Sequence, residues 1–222
     1  MVLKAITRYQ VKIQSIRHLS DTAYVIRTER KGFEFKAGQF VNVSLEDDDT
    51  TREYSIYSPE DVDCLEFLIK EIPNGFISRR LKLAQEGSLL TIDGPYDEEF
   101  TIQEHEIENN EYVLIATGTG IAPFHSFALT HPKLNYRLLH GIRAPSETYD
   151  KGDYKEGCYV SCVSQEDDGD FRGRVTHYLK EHPLKGSEIV YICGNGNMIF
   201  EVSDSLIEQG FCEDRVRTEI FF

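Results

Sequence analysis

The chain has 222 residues with 38 acidic against 24 basic side chains, a formal net charge of −14 that repels a polyphosphate backbone and argues against a nucleic-acid partner. No apolar run is long enough to span a bilayer, and the opening residues Met1-Val2-Leu3-Lys4-Ala5-Ile6-Thr7-Arg8 lack the apolar core of a secretory signal, so no membrane partner is expected. The five cysteines (Cys64, Cys158, Cys162, Cys193, Cys212) include no Cys-x-x-Cys and no iron–sulfur spacing, which suits a reducing compartment and predicts a cytoplasmic protein without a metal site.

In the first hundred residues, short alternating runs predict strands over 9–18, 22–28, 39–45, 54–57, 64–72 and 89–93. Turn-forming Gly, Pro, Asn and Asp separate them, the pattern of a closed antiparallel barrel. One predicted helix, 77–84, is entered through Pro73-Asn74-Gly75 and left near Gly87. The polar, acidic stretch 102–111 is the expected boundary, giving domains 1–105 and 106–222. Beyond it, predicted strands at 112–116, 136–141, 158–163, 189–193 and 215–222 are interleaved with predicted helices at 122–129, 175–180 and 198–209. That alternation predicts a Rossmann-like α/β domain, a parallel sheet with helices on both faces and ligands beyond the carboxyl ends of its strands. Cys158 and Cys162 fall on one face of a predicted strand and read as core. The acidic clusters Glu46-Asp47-Asp48-Asp49, Asp97-Glu98-Glu99 and Glu166-Asp167-Asp168 read as solvated loop tips.

Four motifs carry chemistry. In Ala116-Thr117-Gly118-Thr119-Gly120-Ile121-Ala122-Pro123, a strand meets a helix through glycines, placing backbone N–H groups where a pyrophosphate is welcome. Pro123 suits the first helical turn. A tight strand-to-helix connection is the plain alternative. In Arg52-Glu53-Tyr54-Ser55, Arg52 and Tyr54 share one strand face and Ser55 the other. A guanidinium beside a phenol can hold a phosphate while the ring stacks on a flat ligand; an ordinary cross-strand pair is the alternative. In Asn74-Gly75-Phe76-Ile77-Ser78, amides and a hydroxyl at a helix start could take phosphate oxygens, or Asn74 or Ser78 could simply cap the helix. In Tyr191-Ile192-Cys193-Gly194-Asn195-Gly196-Asn197-Met198, a strand ends in a turn with Cys193 able to reach a crevice, or to be a small buried residue.

In order and spacing these motifs resemble the ferredoxin–NADP reductase family over nearly the whole chain, with its compact bacterial ferredoxin/flavodoxin–NADP reductases as the subgroup suggested by length and by the aromatic C-terminus. The resemblance implies a flavin-binding barrel followed by a nicotinamide-nucleotide-binding domain, with FAD and NADP(H) as cofactors. Arg52 is similar to the arginine on the flavin diphosphate, Tyr54 to the tyrosine stacked on the isoalloxazine and Ser55 to the serine bonded to flavin N5. Gly75 and Ser78 resemble the second flavin-phosphate contact. Thr117, Gly118, Thr119, Gly120 and Pro123, with Gly194 and Asn195, resemble the nucleotide-holding turns. Cys193 is similar to the cysteine near nicotinamide C4, and Glu219 to the carboxylate that positions the nicotinamide. Phe221 falls where relatives place an aromatic over the flavin, and Phe222 matches members with one further aromatic. Without the family this tail reads as a buried edge strand.

The implied activity is hydride transfer between NADPH and flavin N5, then one-electron transfer to a ferredoxin or flavodoxin by a monomeric enzyme. The alternatives are a reductase component serving an oxygenase or reducing free flavin or small acceptors, and a flavin-binding module without turnover. Arg143, after His140-Gly141-Ile142, suits a 2′-phosphate and favours NADP over NAD. The Ser-Arg pattern of NADP-selective members is replaced by Ser164-Gln165, leaving Arg174 as a second candidate. The surface alternative for both arginines is an ion pair. Asp97 stands where relatives have the second glycine of Gly-Pro-x-Gly. Lys70, Arg79, Arg80 and Lys82 could form a basic docking patch for an acidic partner, or balance local acids.

Overall fold

Alternating apolar and polar residues in the first half produce six strands: β1 (Arg8–His18), β2 (Ala23–Glu29), β3 (Phe40–Leu45), β4 (Arg52–Ser55), β5 (Cys64–Lys70) and β6 (Leu89–Tyr96). The structure is a computed structural model and describes residues 8–45 and 50–221. Two compact units, Met1–Thr101 and Ile102–Phe222, divide the chain a few residues ahead of the division read from sequence.

In the first unit the strands follow the order β4-β3-β6-β1-β2-β5, antiparallel throughout. Just past β4, Tyr57 N donates to Glu66 O of β5 at 2.8 Å, so the two ends of the sheet meet in a nearly closed barrel. Alternate residues point inward: Val11 and Ile13, Tyr24 and Ile26, Val41 and Val43, Leu65 and Phe67, and Leu90 and Ile92 share one core. Helix α1 (Phe76–Lys82) adds Ile77 and Leu81 to it. β6 outruns its expected end at Asp93. β3 pairs with it as far as Phe40↔Tyr96.

The second unit contains α2 (Glu104–Ile107), β7 (Tyr112–Thr117), α3 (Ala122–Thr130), β8 (Tyr136–Ile142), β9 (Tyr159–Val163), β10 (Phe171–Arg172), α4 (Val175–Glu181), β11 (Ile189–Asn195), α5 (Gly196–Glu208) and β12 (Val216–Phe221). All six strands run parallel in the order β10-β9-β8-β7-β11-β12. Val113, Ile115, Leu139, Val190 and Ile192 pack under α4 and α5. On the other face Phe127 of α3 meets Tyr191 edge-on at 5.3 Å. Coverage on both faces explains the nearly unbroken apolar strands. The chain builds outward from β7 to β10, then returns to place β11 on β7's other side. The carboxyl ends of β7 and β11 therefore flank the switch point where α/β sheets bind ligands.

Two short elements were not anticipated. α2 buries Ile107 alone, too little for a helical period to register, and β10 is a two-residue pairing with Cys162 and Val163. Of the acidic clusters, Glu46–Asp49 lies outside the described residues. Among the described residues no helix is long and apolar enough to cross a membrane.

Candidate functional site

In the second unit, β7 passes through a 3-10 turn, Gly118–Ile121, directly into α3, whose first turn holds Pro123. Gly118 takes φ +53, and a Cβ there would meet nothing within 4 Å, so this side of the turn is open. Gly120 is required for the opposite reason: a Cβ would lie 2.5 Å from Cys193 O and 2.7 Å from Gly194 Cα. Gly194, at φ +128, returns the contact, since its Cβ would fall 2.4 Å from Thr117 Oγ1 and 2.8 Å from Thr117 O. Asn195 N donates to Thr117 Oγ1 at 2.9 Å, and Asn195 Oδ1 accepts from Asn197 N at 3.1 Å to cap α5. Thr117, Gly118, Thr119, Gly120, Gly194 and Asn195 thus form one pair of interlocked turns. The leading N–H groups of such a turn have no partner within the helix and suit an anion.

Cys193 is fully buried and faces Glu219 across the β11–β12 ladder, with Sγ 3.5 Å from Glu219 Oε2. Burial first, and then the Glu219 carboxylate, pushes the thiol well above its ordinary range, so the proton stays on Sγ. Phe221 is half-buried at the end of edge strand β12, opposite Asn195. Phe222 lies outside the described residues.

Arg143 and Arg174 are both exposed, just beyond β8 and β10. Among the described residues neither guanidinium has an ion pair, which leaves both charges available. The backbone of Arg143 is tied on both sides: its N donates to Glu147 Oε2 at 2.8 Å and its O accepts from Gln165 N at 3.0 Å. The loop expected to carry the missing arginine is therefore hydrogen-bonded to Arg143 itself.

One polar residue went unremarked in the sequence as anything but the lead-in to Arg143. His140 is fully buried on β8, with Nε2 2.8 Å from Gly118 O and Nδ1 2.7 Å from Tyr159 Oη. The signal was available: it is an imidazole in the middle of an apolar strand, and a buried ring must satisfy both nitrogens.

In the first unit Arg52 is exposed, and Nη1 donates only to the adjacent Thr51 O at 3.0 Å among the described residues. Tyr54 is half-buried against the barrel core, and burial pushes its phenol up to about 12 despite Arg52 nearby, so it stays neutral. Ser55 is buried at the end of the same strand. The helix start differs from expectation. Gly75, not Asn74 or Ser78, occupies the cap position, with no side-chain cap, while Asn74 takes φ +66. The buried Ser78 hydroxyl accepts from Ile72 N at 3.2 Å, and Tyr24 Oη–H donates to Ser78 O. Ser78 thus closes the loop before α1. Gly75 is needed because a Cβ would sit 2.7 Å from Ser78 Oγ. Asp97 solves the departure from Gly-Pro-x-Gly. It adopts φ +65, and its Oδ1 accepts from Glu99 N at 3.1 Å and Phe100 N at 3.0 Å, the local bonding that lets an aspartate replace glycine in a left-handed position.

The basic residues near α1 divide. Lys82 Nζ is 2.6 Å from Glu71 Oε2, and the Arg80 guanidinium lies over the Phe76 ring at 5.2 Å, while Arg79 is exposed. Ile72, Phe76 and Leu83 are exposed among them.

Family models match both units: an oxidoreductase FAD-binding domain over 11–100 and an oxidoreductase NAD-binding domain over 114–204. The chain is 28% identical to the toluate 1,2-dioxygenase electron transfer component of Pseudomonas putida, over 91% of this chain and 64% of that protein. It is 34% identical to a ferredoxin–NADP reductase of Pseudomonas aeruginosa, over 63% of this chain and 56% of that protein. The chain thus spans less than two thirds of either relative. A crystal structure of a ferredoxin NADP+ reductase from Neisseria gonorrhoeae with bound FAD and NADP shares the fold, with a TM-score of 0.84 at 22% identity, over 97% of this chain and 99% of that one.

Proposed function

Because the chain belongs to the ferredoxin–NADP reductase family, we propose that its first unit holds FAD, that its second holds NADP(H) in preference to NAD(H), and that it moves electrons between that nucleotide and a ferredoxin or flavodoxin. The observation that carries this reading is the glycine-interlocked pair of turns at the β7/β11 switch point, open at Gly118 and closed at Gly120 by the Cys193 backbone. Bound flavin would supply the conversion between a two-electron exchange with nicotinamide and single-electron transfer to a protein.

The residues fit these groups. Arg52 offers the flavin diphosphate a guanidinium that no described carboxylate occupies. Tyr54 presents a neutral ring for stacking, and Ser55 a hydroxyl for a ring nitrogen. The turn Gly118–Ile121 and the start of α3 accept the nucleotide pyrophosphate. Cys193 keeps its proton and its small volume, leaving room for a ring, while the Glu219 carboxylate complements the positive charge of oxidised nicotinamide.

Arg143 and Arg174 supply the preference for a 2′-phosphate. Arg143→Ala is expected to raise KM for NADPH roughly tenfold, the loss of one charge-assisted hydrogen bond of about 1.5 kcal/mol, and to leave KM for NADH unchanged. Equal effects on both nucleotides in steady-state assays would remove the 2′-phosphate role.

The exposed Arg79 and the apolar Ile72, Phe76 and Leu83 beside it offer an acidic redox protein a face that the overall charge denies elsewhere. The match to the P. putida dioxygenase component favours a second reading, a reductase that feeds an oxygenase. Turnover with ferredoxin or flavodoxin, measured against ferricyanide over a salt series, separates the two. Protein-acceptor rates that fall with salt while ferricyanide rates hold support the first reading. Slow, salt-independent reduction of both carrier proteins supports the second.

A further inference from the structure

Rotation of the Gly118–Thr119 peptide, set by ψ of Gly118 and φ of Thr119, decides which way its carbonyl and its N–H point. In the structure its carbonyl oxygen points to the buried His140 Nε2 at 2.8 Å. A carbonyl only accepts, so Nε2 carries a proton, and in the neutral ring Nδ1 then accepts from the Tyr159 hydroxyl 2.7 Å away. Tyr159 can serve as that donor because burial raises its phenol far above the ordinary range and keeps it protonated. The ring is further fixed by Tyr149 at 6.0 Å and by Tyr159, edge-on, at 5.8 Å between centroids. In a trans peptide the C=O and the following N–H point in opposite directions. With the oxygen drawn inward to β8, the Thr119 N–H faces away from His140.

We propose that His140 is a positioning residue for the pyridine nucleotide: by holding the Gly118 carbonyl inward, it turns the Thr119 N–H outward as a donor to the pyrophosphate. This inference rests on the functional reading above. It distinguishes His140 from Arg143, which acts on the 2′-phosphate, and it makes Tyr159 the residue that sets the tautomer.

The test is equilibrium binding of NADP+ and of 2′-AMP to the flavin-loaded full chain by titration calorimetry, with thermal unfolding and flavin-to-protein ratio read in parallel. 2′-AMP carries the 2′-phosphate but no pyrophosphate. His140→Leu, which removes the donor, is expected to weaken NADP+ about tenfold while leaving 2′-AMP affinity and flavin content unchanged. His140→Gln, which restores an N–H near the Nε2 position, should return NADP+ to within about threefold of the parent. Unchanged NADP+ affinity in His140→Leu overturns the proposal, as does an equal loss of NADP+ and 2′-AMP or a glutamine variant as weak as the leucine one. Should His140→Leu not fold, Tyr159→Phe decides: it keeps the ring packing and loses the bond to Nδ1, with about threefold weaker NADP+ expected and unchanged affinity counting against the proposal. A parent that binds neither ligand sinks the functional reading itself, and this inference with it.

Discussion

Gly120→Ala is expected to destabilise the second unit by about 3 kcal/mol or more and to abolish measurable NADP+ binding. The reason is where the new methyl would go. It would lie 2.5 Å from Cys193 O, 2.7 Å from Cys193 C and 2.7 Å from Gly194 Cα, all backbone atoms of a central strand that no rotamer change can move. The turn and β11 must separate, and that separation breaks the contacts that set the crevice. Gly118→Ala is the control. Its methyl would meet open space, so only the left-handed φ of +53 opposes it, at a cost of about 1 kcal/mol. Thermal unfolding followed by helix signal, with NADP+ titration, checks both. A Gly120→Ala protein as stable as the Gly118→Ala one would show that the interlocked turns do not hold each other in place.

Arg52→Ala should cost flavin rather than fold. The side chain is exposed and bonds only the neighbouring Thr51 carbonyl among the described residues, so its removal leaves the barrel core untouched. If it grips a diphosphate, the loss is one or two charge-assisted bonds of about 1.5–3 kcal/mol each, a ten- to hundredfold or larger weakening of FAD. Flavin-to-protein absorbance after gel filtration gives the answer, with Arg52→Lys retaining part of the grip because it keeps the charge but not the fork. Full flavin content in the alanine variant would take the phosphate role away from Arg52.

The architecture was legible because the two halves carry different periods. Inward Val11/Ile13 and Leu90/Ile92 alternate as barrel strands must, while Val113–Ile115 and Val190–Ile192 are apolar on both faces, as a sheet covered by helices requires. The glycines were legible as a turn but not in their reasons. Nothing local distinguishes Gly118, which needs its dihedral, from Gly120, which needs its missing Cβ because a strand some seventy residues later passes there. Capping by Asn74 or Ser78, the alternative to a phosphate contact, does not occur for a related reason: the Ser78 hydroxyl is committed backward to Ile72 N, a loop closure that no capping pattern encodes. His140 escaped notice because its partners, Gly118 and Tyr159, come together only once β7, β8 and β9 are side by side. Asp97 looked like a departure until its side chain was seen to complete the turn that a glycine would have made freely.

We propose above all that the barrel of the first unit carries a flavin which a nucleotide bound by the second unit can reduce. Anaerobic stopped-flow mixing of the purified protein with NADPH tests it most directly, read at the flavin's own absorbance. The expected result is a yellow protein whose colour bleaches within the mixing experiment, faster with NADPH than with NADH. A protein that stays colourless after reconstitution with FAD, or one that holds FAD and is not bleached by either nucleotide, would contradict it.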